Sequence, residues 1–279
     1  MSISNQTYKD LAIPYFRETF YCIDEIMKEL NIPYYLIGVN AIALELLKQG
    51  IKPSRGTKDI DFAVMISGIK EYEKIISALE ARGFHKVAAP WTFYSDTFRV
   101  AIDLLPFGDI EEKYTINFNE RYTDLHLLGF REVMEEAVIV HIEEKIANIP
   151  PLSGMVILKL IAWNDRPEER GDDLSDILKI IEHYYHLIWD EIVEYHHDTL
   201  DKDPFDQKII AAEVLGRNSR IYLKKSKAIS ERVLKVLDTN LQDASKSAIA
   251  REWARKLNGD IEYAFAMLNA FQKGITHEV

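Results

Sequence analysis

One cysteine, Cys22, stands in 279 residues, so no intramolecular disulfide can form and a thiolate metal cluster is excluded. With nothing to pair with, Cys22 is expected as a buried, small apolar position on the first helix. Glycine and proline are scarce, at 12 and 9, which leaves little linker material. The aromatic share of 11% supports a packed core rather than disorder. Long apolar runs are missing too: residues 97–108 (TFRVAIDLLPFG) carry an arginine and fall short of the ~20 residues needed to cross a bilayer. The opening MSISNQTYKDLAIPYF lacks the basic stretch and apolar core of a secretory signal. No membrane association is expected, and a cytoplasmic location is. No Gly-x4-Gly-Lys-Ser/Thr motif occurs, which excludes a P-loop NTPase, and Ser153-Gly154 is not a nucleophile elbow.

What is present is acidic but uneven. The net charge is −11, which argues against a generic polyanion binder. From Arg217 to Lys256, however, eleven Lys/Arg face four Asp/Glu, an excess of +7, so the rest of the chain carries −18. Such asymmetry fits a nucleic-acid-facing lobe on an acidic body, and equally a solvated helical face balancing acidic neighbours. The length exceeds one average domain.

Hydrophobic periodicity divides the chain near Pro150-Pro151. Before it, a helix over about 5–30, kinked or delayed by Pro14, precedes a strand at 34–38, a helix at 40–49 and a strand at 58–65. A helix at 68–82, strands around 91–95 and 98–105, a helix at 128–136 and a hairpin of 137–142 with 145–149 follow. After it come almost only helices, the first two at 152–165 and 173–186. The expectation is an α+β (mixed α/β) domain over 1–150 and a helical domain over 151–279.

The most informative local feature is Asp59-Ile60-Asp61 inside an apolar strand, followed by Asp103 in Val100–Leu105. Residues i and i+2 of a strand share a face, so Asp59 and Asp61 project side by side and repel unless a cation sits between them. Mg²⁺ suits such oxygen donors, and Asp103 on a neighbouring strand would complete a site for two ions. Gly38 closes a strand and opens a helix, where backbone N–H groups and the helix dipole favour phosphate. Asn40 adds an amide donor. In the helical half, Lys159 sits among Ile157, Leu158, Leu160 and Ile161, where its charge needs a partner or ligand. Arg166, two turns on, shares nearly the same face, and Asp173 and Asp176 are spaced to pair with both. Trp163 reads as core. His183, His186, His196 and His197 lack the spacing of a zinc hydrolase.

Four segments together resemble a nucleotidyltransferase of the polymerase-beta-like superfamily, in its AbiEii/AbiGii-type toxin family. They are YLIGVNA (35–41), RGTKDIDFAVM (55–65), VAIDLLPFGDI (100–110) and PPLSGMVILKLIAWNDRPEERGDDLSDIL (150–178). The resemblance spans about residues 30–185 and is most specific in the fourth segment. It implies a polymerase-beta-like core with a mixed sheet followed by a helical domain. It implies Asp59 and Asp61 as Mg²⁺ ligands, and Asp103 as third ligand or as base for the acceptor hydroxyl. Lys159 would reach the nucleotide phosphates, with Asp173 and Asp176 holding Lys159 and Arg166 or taking part directly. Phosphate contacts would come from Gly38, Val39, Asn40, Arg55, Thr57, Lys58 and Arg166. Two positions depart from the pattern. Val39 stands where the family usually has Gly or Ser, and supplies an N–H but no hydroxyl. Asp172 stands where Lys is more frequent.

The resemblance implies an enzyme that moves a nucleoside monophosphate from an NTP to an RNA, in particular a tRNA 3′ end. Its setting would be a toxin–antitoxin or phage-defence system with a cognate antitoxin, and the basic 217–256 stretch would guide the RNA backbone. Two other readings stay open: a small-molecule transferase of the aminoglycoside-modifying kind, suited by Glu168, Glu169, Asp190, Glu191 and Glu194, and a non-catalytic nucleotide-binding relative.

Overall fold

The apolar residues of the first long amphipathic segment line one side of α1 (Phe16–Leu30), with Phe16, Phe20, Ile23, Ile26 and Met27 almost wholly buried. In this computed structural model the helix starts later than the periodicity suggests. Residues Thr7–Leu11 form a 3-10 turn, and α1 begins only after Tyr15, which takes a left-handed φ of 54°. Pro14 accounts for the delay, since it lacks an N–H and its ring clashes with a preceding helical turn. The structure describes residues 7–11, 13–48, 50–53, 57, 59–87, 89–110, 115–117, 124–201 and 203–277. They form two compact units, Met1–Pro151 and Leu152–Val279.

After α1, the first unit runs β1 (Tyr34–Leu36), α2 (Gly38–Leu47), β2 (Asp59–Met65), α3 (Ile69–Ala81), β3 (Phe84–Lys86), β4 (Thr92–Ser95) and β5 (Val100–Phe107). The five strands make one mixed sheet in the order β1-β2-β5-β4-β3, with β2 and β5 parallel and the other neighbours antiparallel. A small pair, β6 (Thr115–Asn117) and β7 (Asp124–His126), precedes α4 (Phe130–Met134) and the hairpin β8 (Val138–Ile142)–β9 (Lys145–Ile149). The strand expected at 34–38 stops at Leu36 because Gly38 already belongs to α2.

The five-stranded sheet has two unlike faces. Ile60, Phe62 and Val64 of β2, Ile102 and Leu104 of β5, Phe93 of β4 and Phe84 of β3 are at most 2% exposed. Phe20 of α1 meets Phe62 at 6.4 Å between centroids, and Tyr72 of α3 donates to the Leu104 carbonyl at 3.1 Å. Both helices therefore cover this side, and each side chain buried there contributes about 1.5–3 kcal/mol. The alternate residues Asp59, Asp61, Ala101, Asp103, Thr92 and Tyr94 remain half-buried on the opposite face. Cys22 is half-buried too, not fully enclosed as its single occurrence suggested, and burial raises its thiol pKa.

Asp24 of α1 ties this unit together. Its carboxylate, 1% exposed, accepts from Lys145 of β9 at 2.6 Å, from Lys28 at 2.9 Å and from the Tyr34 hydroxyl at 2.8 Å. Burial pushes its pKa up, but the hydrogen bonds from Lys145, Lys28 and Tyr34 outweigh it, and the net shift is below the ordinary 3.8. A depressed folded-state pKa stabilises above the unfolded value and is lost as pH falls through the folded one. Asp24→Asn is therefore expected to lower stability at neutral pH and to flatten the decline below pH 3.8. Urea midpoints taken across that range read the difference; parallel curves for the two proteins would contradict it.

The second unit is helical: α5 (Leu152–Asp165), α6 (Gly171–Leu187), α7 (Trp189–Tyr195), α8 (Gln207–Lys225), α9 (Lys227–Asn240), α10 (Ala248–Lys256) and α11 (Ile261–Thr276). The side chains of Asp206, Ser226, Ser247 and Asp260 cap the last four, each satisfying N–H groups the helix leaves open. Trp163 is 6% exposed in α5, as its core reading expected. Helices α8 and α11 touch backbone to backbone. A Cβ on Gly274 would lie 1.9 Å from the Glu213 carbonyl oxygen, and one on Gly216 would lie 2.2 Å from that of Phe271. Alanine gains about 1 kcal/mol of helix propensity over glycine, yet overpacking costs typically 1–3 kcal/mol, and backbone atoms cannot rotate aside. Gly274→Ala is expected to lower stability by a net of up to about 2 kcal/mol, read as a lower urea midpoint. A raised midpoint would mean that the two helices part freely.

Candidate active site

The open face of the sheet gathers the three acidic residues. Asp59 and Asp61 lie two apart on β2, and register sets Asp61 directly opposite Asp103 of β5. One carboxylate oxygen from each residue lies within 4.8 Å of the others, and all three residues are half-buried. Among the described residues this is the one group of three or more His, Cys, Asp or Glu arranged to hold a metal ion. His183, His186, His196 and His197 do not join such a group.

Hydroxyls hold the outer carboxylates. Thr57, just before β2, donates to Asp59 Oδ1, and Thr92 of β4 donates to Asp103 Oδ1 at 2.6 Å. The Asp103 charge, after burial, adds to the upward shift of the Tyr72 phenol. Asp61 is placed by a close approach to α2. Gly38 has a φ of +68°, and a Cβ there would lie 2.1 Å from Asp61 Oδ2. The position requires glycine twice over, for its left-handed backbone and for the space that the carboxylate occupies. Ile37, just before α2, donates its N–H to the Asp61 carbonyl at 2.9 Å. The free N-terminal end of α2 is thereby fixed beside the acidic group.

Asn40 corrects an expectation. Its Nδ2 donates to the Asp59 carbonyl at 3.0 Å, and the residue is 2% exposed. It ties α2 to β2 instead of reaching outward for phosphate. Val39 follows Gly38 in the first turn of α2 and is half-buried. Arg55 and Lys58 lie outside the described residues. Thr92 was not anticipated, because only the register of β4 against β5 reveals that it faces Asp103.

The motif of the helical unit forms its own cluster. Lys159 Nζ of α5 lies 2.8 Å from Asp173 and 2.8 Å from Asp176 of α6, with side chains only 9–13% exposed. Burial lowers the Lys159 pKa, but the charges of Asp176 and Asp173 outweigh it, and the net shift is upward. Helix α5 ends at Asp165, and Arg166, just past it, meets Glu169 at 3.9 Å, while Arg170 approaches Asp173 at 3.3 Å. In the basic stretch Arg217, Lys227, Arg232, Lys246 and Arg255 each pair with a nearby carboxylate; Arg217 is only 8% exposed, whereas Lys227, Lys246 and Arg255 stay in solvent.

No protein-family model matches the chain, and no curated protein matches it in sequence. Three solved structures are similar in outline. The antibiotic-resistance factor ANT(2'')-Ia aligns over 77% of this chain and 88% of its own, at 11% identity and a TM-score of 0.35. An antigenic nucleotidyltransferase-like protein from Paracoccidioides brasiliensis aligns over 70% and 91%, at 13% identity and 0.38. JHP933 from Helicobacter pylori aligns over 84% and 99%, at 16% identity and 0.27. Similarity at this level leaves function to be argued from the geometry of the site itself.

Proposed function

We propose that the protein is a Mg²⁺-dependent nucleotidyltransferase that moves a nucleoside monophosphate from an NTP to an acceptor hydroxyl of an RNA. The observation that carries this reading is the convergence of Asp59, Asp61 and Asp103 within 4.8 Å on an accessible sheet face. Three hard oxygen donors with no nitrogen or sulfur among them fit Mg²⁺. Bound there, the ion or ions would neutralise phosphate charge and lower the pKa of the attacking hydroxyl.

The side chains divide the remaining work. In the transfer, the acceptor oxygen bonds to the α-phosphorus, the bond to the bridging oxygen breaks, and pyrophosphate leaves. Asp103, steadied by Thr92, would be the third metal ligand or accept the hydroxyl proton. Asp59, steadied by Thr57, and Asp61, seated against Gly38, hold the cationic side of the site. The N-terminus of α2 offers the Gly38 and Val39 N–H groups to phosphate oxygens. Among RNAs, the tRNA 3′ end is the acceptor implied by the four-segment resemblance, and a toxin with a cognate antitoxin is the implied setting.

A labelled-NTP screen tests this: each of the four nucleotides with Mg²⁺, against total tRNA and against aminoglycosides. Label in tRNA, abolished by EDTA, is expected. Label in an aminoglycoside alone would replace the acceptor class. No transfer to any acceptor, together with no metal-dependent NTP binding, would remove the reading.

A further inference from the structure

The face that carries the carboxylates continues across the sheet. Register places Asp59 opposite Ala101, Ala101 opposite Tyr94, and Tyr94 opposite His85. Residues directly opposite in a sheet point to the same side, so these four side chains form one row across β2, β5, β4 and β3. The His85 and Tyr94 rings do emerge together, with centroids 5.8 Å apart and planes at 69°. Ala101 contributes only a methyl between the acidic group and the aromatic pair. At about 4.8 Å per strand spacing, Tyr94 stands roughly 10 Å from Asp59, comparable to one nucleoside laid along the row.

Tyr94 is half-buried, and its hydroxyl has no hydrogen-bond partner among the described residues. The hydroxyl reaches solvent, and the ring, edged by His85, borders a site that the carboxylates mark at its other end. His85 is 53% exposed, with Asp96 at 3.8 Å from its Nδ1.

We propose that Tyr94, edged by His85, is the stacking platform for the terminal base of a single-stranded RNA acceptor, and so determines acceptor specificity. This rests on the nucleotidyl-transfer reading above. Unstacked RNA ends are recognised by aromatic side chains of this kind, because every base offers a π face. With the triphosphate assigned to the N-terminus of α2 beside β2, a terminal hydroxyl at the carboxylates has its own base lying along the row toward Tyr94. Tyr94 and His85 act as positioning residues and take no part in proton transfer.

The test uses the full chain and a short RNA with 2-aminopurine as its 3′-terminal base, titrated in EDTA so that no turnover occurs. Fluorescence quenching on binding is expected for the wild type and for Tyr94→Phe. Tyr94→Ala should bind about tenfold or more weakly, the loss of one base–aromatic stack, with an unchanged thermal midpoint showing that it folds. In turnover with Mg²⁺, Tyr94→Ala should raise the acceptor KM by a similar factor and leave the NTP KM unchanged. No quenching by the wild type, or equal quenching by a folded Tyr94→Ala, overturns the platform. A rise in NTP KM alone overturns it by assigning the stack to the incoming nucleotide, and a rise in KM for an aminoglycoside alone does so by changing the acceptor class. Quenching that Tyr94→Ala loses, in a protein that transfers no nucleotide, supports the platform while ending the transferase reading.

Discussion

Asp61→Ala is expected to abolish nucleotide transfer and yet leave the metal-free thermal midpoint equal or higher. Metal-ion catalysis is worth several kcal/mol, and each 1.36 kcal/mol is tenfold in rate, so the loss should reach about 10³-fold or more. The stability side follows from two competing effects. Asp61 faces Asp103 across the parallel pair and neighbours Asp59 on its own strand. Like charges at such separations repel by up to about 3–4 kcal/mol per pair near a protein surface, and alanine removes that. Against it stands the attraction of the Asp61 carboxylate to the N-terminus of α2, about 0.3–1 kcal/mol. Repulsion is the larger. Scans in EDTA read the midpoint, and labelled-NTP turnover reads the rate. A variant with wild-type turnover removes Asp61 from the site. A sharply lowered midpoint would show that the acidic group is part of what holds the sheet.

How much of this was legible in the sequence depends on how local each feature is. The shared face of Asp59 and Asp61 follows from a two-residue spacing, and a strand cannot avoid producing it. Their meeting with Asp103 is non-local, since it requires β5 to lie beside β2, parallel and in one register among several. A one-residue slip would have turned Asp103 to the buried face. The roles of Thr92 and Tyr94 depend on that register as well. Strands β3, β6 and β7 have three residues each, too few for alternation to declare itself. Gly38 was singled out in the sequence, but for another reason than the one the structure shows. Its position at the start of a helix suggested phosphate, but the carboxylate of Asp61, 23 positions away in the chain, is what excludes any Cβ. Asn40 shows the converse, because a polar residue at the start of a helix can be spent on holding two elements together.

The Lys159 cluster carries the other large effect. In sequence, a lysine among isoleucines and leucines called for a partner, and either a phosphate or a carboxylate could answer. The structure supplies two carboxylates at 2.8 Å, from Asp173 and Asp176, nearly out of solvent. Lys159→Met keeps the apolar stem and deletes the cation that they share, so it is expected to destabilise by about 3–5 kcal/mol. The raised folded-state pKa of Lys159 fixes the sign of the pH dependence. Its stabilisation is fully present below the unfolded lysine value of about 10.4 and is lost as pH rises through the folded value. The gap between wild type and Lys159→Met should therefore be constant at neutral pH and narrow only in strong alkali. Replacing all three charges, as Lys159→Met with Asp173→Leu and Asp176→Leu, is expected to recover most of the stability, because buried ion clusters tend to break even with apolar residues of similar volume. That triple variant also separates the two possible partners of the lysine. If the ammonium serves only to join α5 to α6, the recovered protein transfers nucleotide at close to the wild-type rate, which is the expected result. A stable triple variant with turnover reduced a hundredfold would mean instead that the Lys159 charge is felt by the nucleotide.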